Sequence, residues 1–457
     1  MMSESDSRPI HFVGIAGAGM RALAELLARR GVAVTGCDAN PGVVDDLEAL
    51  GIRVMKGHSP DHVDGVRELI ITSAMNRNRP ELVRAKELGI PVTRRAEALA
   101  KAVEHGKVIG VAGTHGKTTT TVMTTAVLNA AGLHATGIAG GRVGEWNGNL
   151  RYEGDDLFVV EADEYDRSFL TLSPSIAVVT NIEADHLDIY RDLDDIRSSF
   201  AHFVAGAAAI VLCDDDAGAH SLDLPPSAEV IRYGLTSRDA RLIARDVRAQ
   251  GSTTNFTVEY DGDVLGDASL RVPGNHNIQN SLAAIGVGLS LGLTLDQMRP
   301  GLANFGGVDR RFQRLCEVDG VVIIDDYAHH PTEIVATLQA ARASYPGRRI
   351  VAAFQPHLFS RTRDFAQQFG AALANADAVF LTEIYPAREQ PIDGVSAELI
   401  VSALREKGKG VDWRGERDSL SPALCDFVRA GDVVLTIGAG DITRTGPELK
   451  TALEARR

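Results

Sequence analysis

The stretch Val111–Thr121, VAGTHGKTTTT, contains the Gly-Lys-Thr that ends a phosphate-binding loop, yet the loop is too short for the usual form. G-x-x-x-x-G-K-[ST] requires a glycine five residues before Gly116, where this chain has Val111. The nearest usable glycine is Gly113. An apolar run, KVIGVAG, precedes the loop, and a helix-like segment closed by Gly132 follows it. A strand turning into a helix N-terminus presents free N–H groups and the positive dipole end to an anion. Gly113, Thr114, His115 and Gly116 would then line the phosphates, with Thr119 in the first turn. Lys117 would reach the terminal phosphates, and the Thr118 hydroxyl would face a magnesium ion. The alternative is a threonine N-cap beside an exposed lysine. Four successive threonines are poorly explained by helix propensity alone.

Acidic groups follow the next two apolar runs. LFVVEADEYD supplies Glu161, Asp163, Glu164 and Asp166, and SIAVVTNIEADHLD supplies Asp185, His186 and Asp188. Ligands of open parallel sheets bind beyond the carboxyl ends of the strands, where these groups fall, and hard oxygen donors suit Mg²⁺. Solvated loop acids are the competing reading. In PGNHNIQNS, the amides of Asn277 and Asn280 with His276 are suited to a base edge, or to helix capping.

Two further constellations flank this segment. GIAGAGM places Gly14, Gly17, Ala18, Gly19 and Met20 between a strand and a helix, with Asp38 after the next strand. The order G-x-x-G-x-G is not the dinucleotide fingerprint, but a diphosphate such as that of a UDP-sugar satisfies the same turn. VVIIDDYAHHPTEI carries Asp325, Asp326, His329 and His330, and FQPHLFSRTRD carries His357, Arg361 and Arg363. A planar guanidinium is suited to clamping a carboxylate. Arg310 and Arg311 supply cations where the second and third series of elements meet. No zinc spacing joins the histidines.

Positioning these groups takes parallel α/β layers, because strand-like and helix-like runs alternate almost throughout. The expected fold is α/β with three domains. Residues 1–105 form a Rossmann-like N-terminal domain, and 106–310 a central P-loop ATPase-type domain with a small antiparallel insertion. Residues 311–457 form a Rossmann-like C-terminal domain. A chain of 457 residues exceeds one ordinary core. With 61 acidic against 47 basic side chains and a formal charge of −14, it lacks the basic surface of a nucleic-acid or anionic-membrane binder. No apolar run approaches the roughly 20 residues of a spanning helix. Cys37, Cys213, Cys316 and Cys425 contain no C-x-x-C and read as buried reduced thiols, with zinc or a disulfide as the alternative. A cytoplasmic location is expected.

Taken in order, HFVGIAGAGM, TSAMNRNRPEL, GTHGKTTTT, EADEYDRSFL, TNIEADHLDIY, PGNHNIQN, RRF, DDYAHHPTEI, FQPHLFSRTRD and GAGDI resemble the Mur ligases over essentially the whole chain. In that family the short G-T-x-G-K-T loop is the phosphate cradle. The resemblance points to the alanine-adding branch. ATP would phosphorylate the lactyl carboxylate of UDP-N-acetylmuramate, and L-alanine would attack the acyl phosphate. It implies ATP and Mg²⁺ as cofactors and a monomer or weak homodimer. By the same resemblance Lys117 holds terminal phosphates, and Thr118, Glu161 and His186 surround Mg²⁺. Asn277 and Asn280 face adenine, Asp326 faces the ribose, and Arg311 assists the phosphate. His329 and Arg361 meet the amino acid, while Gly17 to Met20, Asp38 and Ser73 belong to the UDP-sugar site.

Two departures stand out. Leu358 follows His357 where the family often has arginine, and Ala16 replaces a glycine. Leu187 to Ile210 contain no lysine, so the carbamylated lysine of sibling ligases is not expected. A tripeptide-recycling ligase and a non-ligating nucleotide-binding regulator are the alternatives. A nicotinamide oxidoreductase is disfavoured by the spacing of the first loop.

Overall fold

The computed structural model describes residues 6–72, 75, 78–250, 253–387 and 389–456. Contacts divide the chain into two compact units. The first comprises Met1–Arg245, Thr257–Ala268 and Gln279–Phe305, and the second Asp246–Phe256, Ser269–Ile278 and Gly306–Arg457.

Short Val/Ile-rich runs form strands because burial on both faces rewards branched apolar side chains. The first sheet holds β1 (Ile10–Val13), β2 (Val34–Asp38), β3 (Arg53–Lys56), β4 (Glu68–Ile71) and β5 (Val92–Arg94), in the order β3-β2-β1-β4-β5. All its pairings are parallel. The order reverses between β1 and β4, so the loops after those strands open a crevice.

The second sheet begins with β6 (Lys107–Ala112), β7 (Thr136–Val143), β8 (Gly148–Arg151), β9 (Leu157–Glu161), β10 (Ile176–Val179), β11 (Ala209–Cys213) and β12 (Glu229–Gly234). It continues with β13 (Leu242–Gln250), β14 (Thr253–Tyr260) and β15 (Asp263–Leu270), and the order is β15-β14-β13-β12-β11-β10-β6-β9-β7-β8. Consecutive neighbours β13, β14 and β15 are joined by two-residue connections, which only an antiparallel arrangement permits. The expected insertion is therefore present, but it extends the main sheet. A second antiparallel pair, β7 with β8, had no clear sequence signal.

One buried core runs through the first unit, from Ile10 and Phe12 to Phe200 and Leu212. At the junction of its two sheets Arg30 donates to Asp155 Oδ1 (2.8 Å) and Ala102 O (2.6 Å) and lies over the Phe158 ring.

In the second unit β16 (Gln313–Val318), β17 (Val321–Asp326), β18 (Arg349–Phe354), β19 (Ala378–Thr382), β20 (Trp413–Gly415) and β21 (Asp432–Ile437) order as β16-β17-β21-β18-β19-β20. Only β16 runs antiparallel. Apolar clusters cover both faces. The helix Pro331–Ser344 has Pro331 at its first position, and His330 with Glu333 forms a capping box.

All four cysteines are free. Cys37, Cys213 and Cys425 are buried as expected, whereas Cys316, on edge strand β16, is only half-buried. Among the described residues no helix is long and apolar enough to cross a membrane.

Candidate active site

The parallel register places the ends of β6, β9 and β10 side by side, with Val111 opposite Glu161 and Ala112 opposite Val179. Between β6 and the helix Lys117–Ala130 the chain turns through Gly113 (φ +146°) and Gly116 (φ +79°), backbone that L side chains resist. A Cβ on Gly113 would strike the Thr180 hydroxyl, and one on Gly116 would come within 2.8 Å of Asn280 Oδ1. The residues after β10 hold the loop. Thr180 Oγ1 and Asn181 Nδ2 donate to His115 O (2.6 and 3.1 Å), and His115 N donates to Asn181 Oδ1 (2.7 Å). His115 Nε2 lies 2.9 Å from Glu183. The threonine run is explained by burial: Thr118 to Thr121 all face inward, and Thr120 Oγ1 donates to Asn280 Oδ1 at 3.1 Å.

Lys117 curls back over this turn, donating to Gly113 O (2.6 Å), Thr114 O (3.2 Å) and Glu164 (2.7 Å). Glu161 accepts from Thr118 Oγ1 (2.9 Å) and Gly140 N (2.5 Å). His186, with φ +53°, sits 3.7 Å from Glu164 and 3.8 Å from Asp185. Thr118 and Glu161 are thus joined directly, while His186 reaches the cluster through Glu164.

The electrostatics are lopsided. Burial opposes the Lys117 charge, but Glu164, Asp163 and Glu161 outweigh it and raise its pKa. Burial also raises the Glu161 carboxyl, and it lifts Glu164 to about 7 despite Lys117. One ammonium faces three carboxylates in a site largely withdrawn from water. Such a cluster of hard oxygen donors suits a divalent cation such as Mg²⁺.

In the first sheet, Gly14 (φ +84°) turns the chain from β1 into the helix Ala18–Arg29, whose N-cap is Gly17. Asp38, at the end of β2, accepts from Ala16 N (3.2 Å) and Asn40 N (2.9 Å), so it shapes the loop. A Cβ on Gly19 would meet the Arg95 guanidinium at 2.9 Å, which places a cation over the same turn. Ser73 lies outside the described residues.

The second unit gathers its groups at the end of β17. Arg310 and Arg311 flank the Tyr327 ring at 4.8 and 5.1 Å. Arg311 pairs with Glu333 at 3.4 Å, and His329 Nδ1 lies 3.0 Å from Tyr327 O and 3.2 Å from Glu333. His329 and His357 rings are 6.3 Å apart, and His357 stacks on Tyr385. Arg361 is buried on the helix Phe359–Leu373. Leu358, the departure from the family pattern, has φ +70°. Its N–H donates to Tyr385 O at 3.0 Å and its carbonyl accepts from Thr362 Oγ1 at 2.9 Å. Asn277, in the first turn of the helix Asn275–Ser290, donates its side-chain amide to Pro273 O (2.6 Å).

Asp326 accepts from Phe312 N (2.7 Å) and Ala328 N (2.8 Å). Burial nevertheless pushes its carboxyl up from 3.8 to about 6, against Arg311 and those two donors. Between pH 4 and 6 the native chain therefore keeps a proton that the unfolded chain has released. Asp326 thus makes the fold lose stability as pH rises through that window, by at most roughly 3 kcal/mol, with no further change above it. Asp326→Asn should flatten this component. The difference in unfolding free energy between wild type and variant, measured from pH 4 to 7, checks the sign.

Sequence reading picked out the loop, Glu161, His186, Asp326 and the arginines. It gave no role to Thr180, Asn181, Glu183, Gly140, Tyr327 or Glu333, and it named Glu164 only as a neighbour. The polar TNIE run after β10 was the available signal for the first three.

The same arrangement of parts recurs in known proteins. Family descriptions match in chain order: "Mur ligase family, catalytic domain" at residues 9–107, "Mur ligase middle domain" at 111–288, and "Mur ligase, glutamate ligase domain" at 310–440. A UDP-N-acetylmuramate–L-alanine ligase of Salinibacter ruber is 42% identical over 453 residues, 98% of this chain and 95% of that one. The corresponding ligase of Oleidesulfovibrio alaskensis is 44% identical over 96% and 97%. The crystal structure of the UDP-N-acetylmuramate–alanine ligase of Thermotoga maritima superposes with a TM-score of 0.83 at 30% identity, covering 98% and 100%. A murein peptide ligase of Psychrobacter arcticus gives 0.72 at 25% identity, covering 98% of each chain. With three matched regions in order, full-length relatives and a strand-to-helix phosphate turn ringed by acids, the chain belongs to the Mur ligase family.

Proposed function

We infer that this chain is an ATP-dependent ligase that joins L-alanine to the lactyl carboxylate of UDP-N-acetylmuramate, in peptidoglycan precursor synthesis. The observation that carries this reading is identity of 42–44% over nearly the whole chain with ligases of that name. The Lys117 cluster supplies matching chemistry. A carboxylate cannot expel oxide when an amine attacks, so the reaction needs a better leaving group. The lactyl oxygen attacks the terminal phosphorus of ATP, the bond to the bridging oxygen breaks, and ADP departs to leave an acyl phosphate. The amine of alanine adds to its carbonyl carbon, and the tetrahedral intermediate expels phosphate to leave an amide.

Within this scheme, Lys117 and the N–H groups of Gly116 to Thr119 hold the phosphates against developing charge, while Gly113, Thr114 and His115 shape the turn, the last two with their N–H groups on Asn181. Thr118 and Glu161, with His186 linked through Glu164, would hold Mg²⁺, which supplies charge neutralisation at the phosphates. Asn280, already against Gly116, and Asn277 serve the adenine side, and Asp326 the ribose. Arg311 assists the transferring phosphoryl group. The loop of Gly17, Ala18, Gly19 and Met20, with Asp38 and Ser73, receives the UDP-sugar. His329 and Arg361 address the amino acid. The assignment of residues 1–105, 106–310 and 311–457 to UDP-sugar, ATP and amino acid follows from this division of labour.

The decisive assay is phosphate release from ATP with UDP-N-acetylmuramate and Mg²⁺, across alanine, glycine, serine and the tripeptide, with the product weighed by mass spectrometry. Amide formation with alanine is expected. Product with the tripeptide alone would make the chain a peptide-recycling ligase, and phosphate without amide would make it a regulator. Arg361→Ala should raise the alanine KM by roughly tenfold or more, as loss of a charged hydrogen bond does, while the ATP KM stays within about twofold. An unchanged alanine response would remove Arg361 from that role.

A further inference from the structure

A second group of metal-ligating side chains lies away from the phosphate loop, inside the first sheet's own layer. Cys37 stands in β2, one residue before Asp38, and His58 lies just after β3. His62 is in the short helical turn Pro60–Val63, and Glu81 is in the first turn of the helix Pro80–Leu88. We propose that Cys37, His58, His62 and Glu81 form a structural transition-metal site, and that the ion their donors suit is Zn²⁺.

The geometry is close to that of a ligand shell. Cys37 Sγ is 3.4 Å from Glu81 Oε1 and 3.8 Å from His58 Nδ1. His58 Nδ1 is 2.9 Å and His62 Nδ1 3.7 Å from the same carboxylate oxygen. Tetrahedral zinc with bonds of about 2.0–2.3 Å to nitrogen, oxygen and sulfur sets ligand–ligand edges of about 3.3–3.8 Å. Within the Cys37–His58–Glu81 triad only the His58–Glu81 edge has to lengthen, whereas His62 faces Glu81 from outside that triad and has to swing in to become the fourth ligand. Two overlapping triads, His11–Cys37–His62 and Cys37–His58–Glu81, each bring their donor atoms within 4.8 Å of one another and share the sulfur.

An independent observation points the same way. Glu81 is fully buried, yet its Oε2 has no hydrogen-bond partner among the described residues, and neither has His62 Nδ1. The described partners of this carboxylate, the two imidazoles, the Cys37 thiol and the Ser59 N–H (3.1 Å), all meet Oε1. Donors on Oε1 offset its burial, but a buried oxygen without a partner is costly, and a divalent ion would meet Oε2.

His11 completes the arrangement as a supporting group. Its Nδ1 lies 2.9 Å from Thr35 Oγ1 and its Nε2 3.4 Å from Cys37 Sγ. With the Thr35 hydroxyl donating to Nδ1, the Nε2–H donates to the sulfur and steadies a thiolate, as partners outside the ligand shell do. Burial keeps the His11 ring neutral, lowering it to about 4. Burial and Glu81 hold the Cys37 thiol well above its usual value, so binding displaces one thiol proton and tightens as pH rises.

The placement gives the ion a task. The Cys37 carbonyl accepts from Gly14 N (2.7 Å) and Ile15 N (3.1 Å), so the ion would pin the strand end from which the glycine loop hangs. That consequence rests on the UDP-sugar assignment, whereas the metal itself is tested without activity.

Cobalt(II) is the probe, titrated into the full chain after chelator treatment and desalting, with metal content measured in parallel. One cobalt per chain with a near-ultraviolet thiolate-to-metal band, displaced by one equivalent of zinc, is expected. Ions held by the phosphate-loop carboxylates lack that band. Cys37→Ser should abolish it. His62→Asn, at a partly exposed position, should weaken cobalt binding roughly tenfold or more with the fold intact by circular dichroism. Folded wild type showing no thiolate band, or a band unmoved by both substitutions, would overturn the site. Failure to ligate alanine would count against the functional reading alone.

Discussion

Lys117→Ala lowers ATP-dependent amide formation by roughly 10²–10³-fold, about 3–4 kcal/mol of barrier, while the chain stays folded. The ammonium is held within the turn, 2.6 Å from Gly113 O and 2.7 Å from Glu164, and on the proposed reading terminal phosphates enter there. Alanine removes that charge, and no other lysine or arginine is paired with Glu164 among the described residues. The fold survives because Glu164 is already raised to about 7 and takes up a proton once Lys117 is gone. Initial rates of phosphate release, with a thermal unfolding curve for each protein, check both halves. Turnover within fivefold of wild type would sink the assignment of Lys117 to the phosphates.

Glu161→Gln produces the second large effect, read best as a demand for magnesium. The native carboxylate accepts from Thr118 Oγ1 with one oxygen and from Gly140 N with the other. Glutamine offers one acceptor and one donor, so its NH₂ must oppose one of those two donors, and the negative charge is lost. The Mg²⁺ concentration for half-maximal rate should rise roughly 10–100-fold, with a comparable fall in rate at fixed low Mg²⁺. Stability should hold or improve, because burial raises the Glu161 carboxyl and its charged form burdens the native state. Activity lost together with several degrees of melting temperature would instead mean that Glu161 serves the fold. An unchanged magnesium response would remove it from the metal.

The contrast between these two residues shows what was legible in the linear chain. Gly113 and Gly116 announce a turn that L residues resist, and the apolar run before them announces the buried strand. Gly-Lys-Thr at that junction is a local feature, and local features survive in sequence. The same holds for Pro331 with its capping box and for the Val/Ile runs that became β6, β9, β10, β17 and β21.

Which acid meets Lys117 is not local. Asp163, Glu164 and Asp166 stand within four residues of one another, and periodicity does not distinguish them. Glu164 closes on the lysine because β9 lies beside β6 in parallel register and the chain turns inward after Glu161. The clamp of Thr180 and Asn181 on His115 depends likewise on β10 lying on the other side of β6.

By itself, then, the sequence determined the alternation of strands and helices, the phosphate turn, and the order of motifs that marks a Mur ligase. Each of these is written in residues adjacent along the chain. Tertiary structure alone decided the acidic partner of Lys117, the link from His186 through Glu164, and the meeting of Cys37, His58 and Glu81. Those contacts join positions 21 to 47 residues apart, and only strand order and register bring such side chains within bonding distance.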